Sequence, residues 1–362
     1  MSDLPYWIGF NRVAGVGSRR LRLLLDFFND DIEAAWEGNQ SQFVQAGLDR
    51  RTVESIMKSR PKINLDREMA LIDQHAVKVL TWNDEEYPKL LREVFAPPPV
   101  LYIRGDLLPD DEWAVAIVGT RKMSPYGRRV TEMLAHGLTE AGLTIISGLA
   151  LGVDGTAHHA ALQAGGRTIA VLANGLDRTY PARHKKMAER IISQGQGTLI
   201  SEYPIGTSPE ARNFPQRNRI ISGLSLGVVI IEAGEPSGAL ITARYAIKQD
   251  REVMAVPGSI FSATSKGSNQ LITQGATPVL SVKSVLDCLD MQMVEPQKVV
   301  RQIIATTPLE ERVLNQLSDD PRHIDEISQH CTLSSAELSS TLSLLELKGV
   351  VRQVGAMNYI RV

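Results

Sequence analysis

Four glycine-rich stretches in the middle of the chain carry residue types suited to a bound anion: 119–127, 147–155, 173–181 and 232–239. Small residues let backbone N–H groups approach a phosphate closely, and the N–H groups that open a following helix favour negative charge. Full positive charge is available nearby in sequence. Gly119, Thr120, Arg121 and Lys122 follow one apolar run, Ser147 and Gly148 follow the next, and Lys185 lies just beyond the third loop. Arg217 and Arg219 flank Asn218 directly before an apolar stretch, where two guanidiniums at a helix start would reinforce an anion site. Ser237 and Gly238 close the fourth loop. These twelve residues are the expected phosphate-binding rim.

Other chemistries are disfavoured by what the chain lacks. No GxGxxG follows the first apolar run and no GxxxxGK[ST] occurs anywhere, which argues against a nicotinamide enzyme and a P-loop ATPase. His158 and His159 stand beside Asp154 on a small-residue helix, but no third ligand or Ser/Cys nucleophile is spaced to help them. Helix packing is the favoured reading of that pair, and neither a metal nor a cofactor is expected. Cys288 and Cys331 form no CxxC pair, so a disulfide framework is excluded and a reducing cytosol is expected. The start of the chain has no basic segment followed by an apolar core, and the longest apolar stretch, 224–231, is too short to span a bilayer. A cytoplasmic protein without membrane contact is expected.

The loops need strands and helices to hold them. Apolar, β-rich runs at 115–118, 144–146, 168–172, 198–200, 228–231, 252–256 and 278–280 alternate with helical patterns at 127–141, 156–164, 184–193 and 241–248. Continuous apolar strands separated by helices predict an α/β fold, a mainly parallel, doubly wound sheet of Rossmann-like type covered on both faces. In such folds ligands sit beyond the carboxyl ends of the strands, where the four loops are.

At 362 residues, two or three domains are expected. Residues 1–80 read as helical; the turn 13–17 resembles a helix-hairpin-helix element, but with net negative charge around it a tight glycine turn in a small helical domain is favoured over a DNA contact. Tyr87-Pro88 and Pro97–Pro99 punctuate an irregular connector within the 81–290 segment that carries the sheet. Residues 291–305 have no pattern and read as a linker. In 306–362, helices at 309–317, 324–330 and 336–347 precede a hairpin of 350–354 and 358–362 around Gly355, which predicts a winged helix. Its third helix holds Glu337 and Glu346 with Lys348 as the one base, so a protein-interaction role is favoured over reading duplex DNA.

Charge is unevenly distributed. Residues 1–114 carry 14 basic and 19 acidic side chains, 115–290 carry 18 and 13, and 306–362 carry 5 and 8. A polyanion is therefore sought on the middle segment.

The strings 118–121 (Val-Gly-Thr-Arg), 147–158 (Ser-Gly-Leu-Ala through Asp154 to His158), 201–203, 214–221 (Phe-Pro through Arg217-Asn218-Arg219), 237–243 and 256–258 strongly resemble the DprA (Smf) family of DNA-processing proteins, in the family's order from about residue 87 to 276. The resemblance implies an extended Rossmann domain flanked by a SAM-like or helix-hairpin-helix-like N-terminal domain and a winged helix. It implies a non-catalytic single-stranded DNA-binding protein that protects incoming DNA, forms homodimers and helps load RecA in natural transformation. Contact with a single-stranded DNA-binding protein is a further implied partnership. Arg121 matches the family's pocket arginine, and Lys185 falls where a pocket lysine often lies, with His184 in place of the usual asparagine. The alternative is a nucleoside-monophosphate phosphoribohydrolase, a related fold, but Ala243 and Arg244 stand where its catalytic glutamate is needed. Binding is expected to track phosphates and salt, with Tyr126, Tyr180, Tyr203 and Phe214 as the aromatics available for stacking.

Overall fold

A computed structural model describes residues 3–291, 308–318, 322–331, 333–347, 351–353 and 357–361. Residues 1–296 form one compact unit and 297–362 a second.

The chain opens with helices α1 (Leu4–Arg12), α2 (Ser18–Phe27), α3 (Ile32–Glu37), α4 (Gln40–Gln45), α5 (Arg50–Ser59) and α6 (Leu65–Gln74). The starts of α3 to α6 follow local capping: Asp31, Asn39, Asp49 and Asn64 each accept a backbone N–H of the first turn. These helices do not stand apart as a free domain. Trp7, Phe10, Leu24 and Phe43 share a core with Tyr102 and Leu199 of the sheet and with Leu172 just after a strand. The Tyr102 hydroxyl donates to Asn11 Oδ1 at 3.0 Å, and Arg12 donates to the Ile205 carbonyl at 2.6 Å.

The end of the segment expected to be helical contributes β1 (Lys78–Thr81), and the connector expected to be irregular contributes the short helix α7 (Lys89–Arg92) and β2 (Val100–Gly105). Then strands and helices alternate: β3 (Ala114–Val118), α8 (Pro125–Glu140), β4 (Thr144–Ser147), α9 (Val153–Gln163), β5 (Thr168–Val171), α10 (Lys185–Ser193) and β6 (Gly197–Ser201). The second half continues with α11 (Asn213–Gly223), β7 (Gly227–Ile230), α12 (Gly238–Lys248), β8 (Glu252–Ala255), α13 (Lys266–Thr273), β9 (Thr277–Pro278) and α14 (Val282–Cys288).

These strands form one sheet in the order β1-β2-β6-β5-β4-β3-β7-β8-β9. Pairing is parallel from β6 to β9, and β1 and β2 add an antiparallel edge. Strand periodicity divides the side chains between two faces. Ala114, Ala116 and Val118 enter a core with residues of α11 and α12, while Val115 and Ile117 enter one with residues of α8 and α9. The chain leaves β3 for β4 on one side, whereas β7 pairs with β3 on the other. That reversal of winding opens a crevice at the carboxyl end of β3.

The second unit contains α15 (Pro308–Leu314), β10 (Arg322–His323), α16 (Ile324–Cys331), α17 (Ser335–Leu347), β11 (Val351–Gln353) and β12 (Asn358–Arg361). A sheet β10-β12-β11 and a core of Val313, Ile327, Leu338, Leu342 and Val351 make it a winged helix. Most of the expected linker, Lys348 and Gly355 lie outside the described residues. Among the described residues no helix is long and apolar enough to cross a membrane.

Candidate nucleic-acid interface

The loop after β3 is held from three sides. The Thr120 N–H donates to the Glu232 carbonyl at 2.8 Å, and the Val153 N–H donates to the Thr120 carbonyl at 3.3 Å. At its end Ser124 caps α8, accepting from the Gly127 N–H at 3.0 Å. The Ser124 hydroxyl and N–H donate to the buried Glu232 carboxylate at 2.6 and 2.8 Å. Gly152 packs under the loop with a φ of +78°, and a Cβ there would lie 2.7 Å from the Arg121 carbonyl carbon. Only glycine meets both demands.

So anchored, the loop projects Arg121 and Lys122 into solvent. The Arg121 guanidinium lies 5.3 Å from the centroid of Phe214, and Phe214 packs against Tyr180 with 5.6 Å between centroids. Arg121 and Lys122 form a ridge between two cavities. The larger, about 690 Å³, is the crevice at the β3/β7 reversal and is bordered by Val118, Gly119, Thr120, Tyr180, Phe214, Asn218, Ser237 and Gly238, among others. The smaller, about 440 Å³, is bordered by Arg128, Glu132, His159, Arg183 and His184 as well as the ridge.

Not every expected rim residue reaches this surface. Gly119, Thr120, Arg121, Lys122, Asn218, Ser237 and Gly238 border the crevice. Asn218 donates to the Gly238 carbonyl at 3.2 Å, and Ser237 caps α12 by accepting from the Ala239 N–H at 3.2 Å. Ser147 is fully buried, its hydroxyl donating to the Ile117 carbonyl at 2.6 Å, so it braces two strands instead of facing a ligand. Gly148 is buried too, and its N–H donates to Asp154 at 3.1 Å. Its missing side chain makes room for Arg217, whose guanidinium carbon would lie 2.6 Å from a Cβ.

Arg217 belongs to the crevice floor. It is 3% exposed, donates to the Val171 carbonyl and is offset by the Asp154 carboxylate. Burial brings its guanidinium down to about 10, while Asp154 works against that shift. Burial also pushes the Asp154 carboxyl above the usual carboxylate range, against Arg217 and the Ala150 and Gly148 N–H groups. Arg219 points elsewhere: it pairs with Glu202 and does not border either cavity. At helical periodicity, residues two apart face different directions, which separates Arg217 from Arg219. Lys185 is exposed and 3.8 Å from Glu189, outside the cavity linings; Arg183 and His184 of the same turn line the smaller cavity instead.

His158 is a core residue. Thr168 donates its hydroxyl to the Ile145 carbonyl at 2.7 Å, so it accepts from His158 Nδ1–H at 2.6 Å. Burial lowers His158 to about 3 and keeps the ring neutral. Among the described residues no His, Cys, Asp and Glu cluster could hold a metal. Sequence reasoning did not select Arg128 or Arg183. Arg128 lies in the first turn of α8 and Arg183 in a short helical turn just before Lys185, positions that carry no local binding signal in the sequence.

Comparison with known proteins bears on this arrangement. The sequence model of DNA recombination-mediator protein A matches residues 78–290, and that of the DprA winged helix domain matches 295–357. The chain is 35% identical to protein Smf of Synechocystis, with 99% of each chain covered. It is 39% identical to DNA processing protein DprA of Bacillus subtilis, over 64% of this chain and 79% of that one. The crystal structure of DprA from Streptococcus pneumoniae superposes with a TM-score of 0.68 at 34% identity, covering 79% of this chain and 98% of that one. A structure of the Helicobacter pylori protein, described as revealing its single-stranded DNA binding mode, gives a TM-score of 0.54 at 33% identity over 60% and 97% of the two chains. With the family's sheet domain and winged helix both matched and a relative aligned end to end, the chain belongs to the DprA/Smf family of DNA-processing proteins.

Proposed function

We propose that this protein binds single-stranded DNA at the β3/β7 crevice and acts, without catalysing a reaction, as a recombination mediator. In this reading it works in the cytoplasm as a homodimer, protects incoming strands during natural transformation and helps load RecA onto them, in contact with a single-stranded DNA-binding protein. The observation that carries the reading is the Arg121–Lys122 ridge, an exposed pair of cations beside Phe214 and Tyr180 at the edge where this fold gathers ligands. The Helicobacter pylori relative's described binding mode supports it.

A comparison of single- and double-stranded oligonucleotides across a salt series tests the first part. Single strands are expected to bind more tightly, with a log–log slope of about −0.7 per phosphate contacted. Equal affinity for duplex, or a flat salt response, would overturn the reading. For the second part, RecA filament assembly on strands coated with single-stranded DNA-binding protein is expected to accelerate when this protein is added. An unchanged rate would remove the mediator role while leaving DNA binding intact.

A further inference from the structure

Glu232 lies two residues beyond β7, is 2% exposed and makes no ion pair among the described residues. A carboxylate in that setting is costly unless donors surround it. Its donors come from two other loops. The Glu232 carbonyl accepts the Thr120 N–H at 2.8 Å, which fixes the start of the loop carrying Arg121 and Lys122. The Glu232 carboxylate fixes that loop's end: Oε1 accepts the Ser124 hydroxyl at 2.6 Å and Oε2 the Ser124 N–H at 2.8 Å. One residue thus holds both ends of the segment on which the two exposed cations stand. Oε1 also accepts the Thr264 hydroxyl at 3.1 Å, from the loop between β8 and α13. That second loop is tied to the start of α8 again where the Tyr126 hydroxyl donates to the Pro257 carbonyl at 2.9 Å. Gly127 leaves the space that the carboxylate fills, since a Cβ there would run into it. Glu232, Ser124 and Thr264 border neither cavity, so they act on a bound strand only through the loops they hold.

We infer that Glu232 is the positioning residue of the Arg121–Lys122 ridge, and that its bond to Thr264 makes the ridge's placement depend on the 257–265 loop. The inference rests on the single-stranded reading above and adds to it a residue that touches no DNA. Two cations meet a phosphate with less loss of freedom when both ends of their loop are already fixed. The direction of the effect separates positioning from charge. Removing an acid beside an anion site tightens binding by electrostatics alone, whereas removing the clamp weakens it.

The test uses the full chain and a thymidine oligonucleotide, well below the melting transition, so that folded proteins are compared. Glu232→Ala is expected to bind roughly tenfold more weakly despite the lost negative charge. Glu232→Gln keeps the shape and an accepting oxygen, and is expected to return to within about threefold of the wild type. Tighter binding by Glu232→Ala, or wild-type affinity, overturns the inference. Thr264→Val keeps the side chain's outline without its hydroxyl and is expected to cost about threefold; unchanged affinity cuts the tie to the 257–265 loop and overturns that half. Thr168→Val, which removes a buried hydroxyl at the amino end of β5, is expected to leave affinity unchanged. A loss there equal to that of Thr264→Val would overturn the assignment, because any buried hydroxyl would then serve. The deciding arm is a double-mutant cycle with Arg121→Ala/Lys122→Ala. In that background Glu232→Ala is expected to cost less than twofold, and a tenfold loss in both backgrounds would mean that Glu232 does not act through the ridge. If Glu232→Ala does not fold, Ser124→Ala/Thr264→Val takes its place in the cycle with the same expectation. If Arg121→Ala/Lys122→Ala alone binds like the wild type, the single-stranded reading at this ridge fails and the positioning role fails with it.

Discussion

Arg121 combines an exposed side chain with a fixed base: the backbone beneath it is hydrogen-bonded to Glu232 and Val153, and its guanidinium rests on Phe214. A charge held in this way loses little freedom on meeting a phosphate. Arg121→Glu is expected to weaken single-strand binding by about 2–4 kcal/mol, since it replaces an attraction by a repulsion. Lys283→Glu, an equal change of charge at an exposed position on α14, is expected to cost far less because only a screened, long-range effect remains. Isotherms for the two folded variants at one salt concentration decide the matter; equal small losses would place the anion site elsewhere. His158 yields a prediction about stability. Its folded value, about 3, is depressed below the ordinary 6.5 by burial, so between those values the unfolded chain binds a proton that the folded chain excludes. The stabilisation is complete above pH 6.5 and falls as pH drops towards 3, with a slope approaching about 1.4 kcal/mol per pH unit. Denaturant midpoints between pH 7 and 5 are expected to fall for the wild type and to flatten in His158→Leu. A wild-type midpoint constant over that range would mean that the ring takes up its proton without cost.

Between β4 and α9 the chain must pass under the Arg121 loop, and Gly152 makes this passage possible. Gly152→Ala is expected to destabilise the fold by about 1–3 kcal/mol through its left-handed φ. It is also expected to weaken DNA binding beyond what the unfolded fraction explains, because the added Cβ displaces the Arg121 backbone. Binding measured well below the melting transition separates the two effects, and unaltered affinity there would show that the ridge tolerates the shift. At this scale the sequence was readable wherever periodicity and loop chemistry agreed. Helices expected at 127–141 and 241–248 are found at Pro125–Glu140 and Gly238–Lys248, because Ser124 and Ser237 cap them slightly earlier. β1 and β2 were not legible: four residues after a helix and six after a proline run pair antiparallel with each other and, for β2, with the distant β6, and nothing local records that pairing. The rim was half legible for a similar reason. Glycine in a strand-to-helix loop looks the same whether it admits a phosphate or, as Gly148 does, a guanidinium from another helix. Arg219 looked equivalent to Arg217 in sequence, yet its partner Glu202 lies on a different element.

Across the whole molecule, positive charge is concentrated on the sheet segment, with 18 basic against 13 acidic side chains in 115–290, while 306–362 carries 5 against 8. The winged helix has acidic residues where a groove reader would place bases, and they are already engaged. Glu337 accepts from the Ser334 hydroxyl at 2.6 Å in a cap that holds its carboxyl below the ordinary range, and Glu346 accepts from the Gln353 N–H at 3.2 Å. Neither is free to be overlooked by a phosphate, and each would repel one. Residues 1–296 form a compact unit that contains the ridge and both cavities. Deleting 306–362 is therefore expected to leave single-strand affinity within about threefold of the full chain and the salt slope unchanged, since the number of phosphates contacted is the same. Titrations of the truncated and full-length proteins at several salt concentrations, with thermal melting to confirm the fold, test this. A loss of tenfold or more from a folded truncation, accompanied by a shallower slope, would mean that the winged helix contributes phosphate contacts of its own despite its net negative charge.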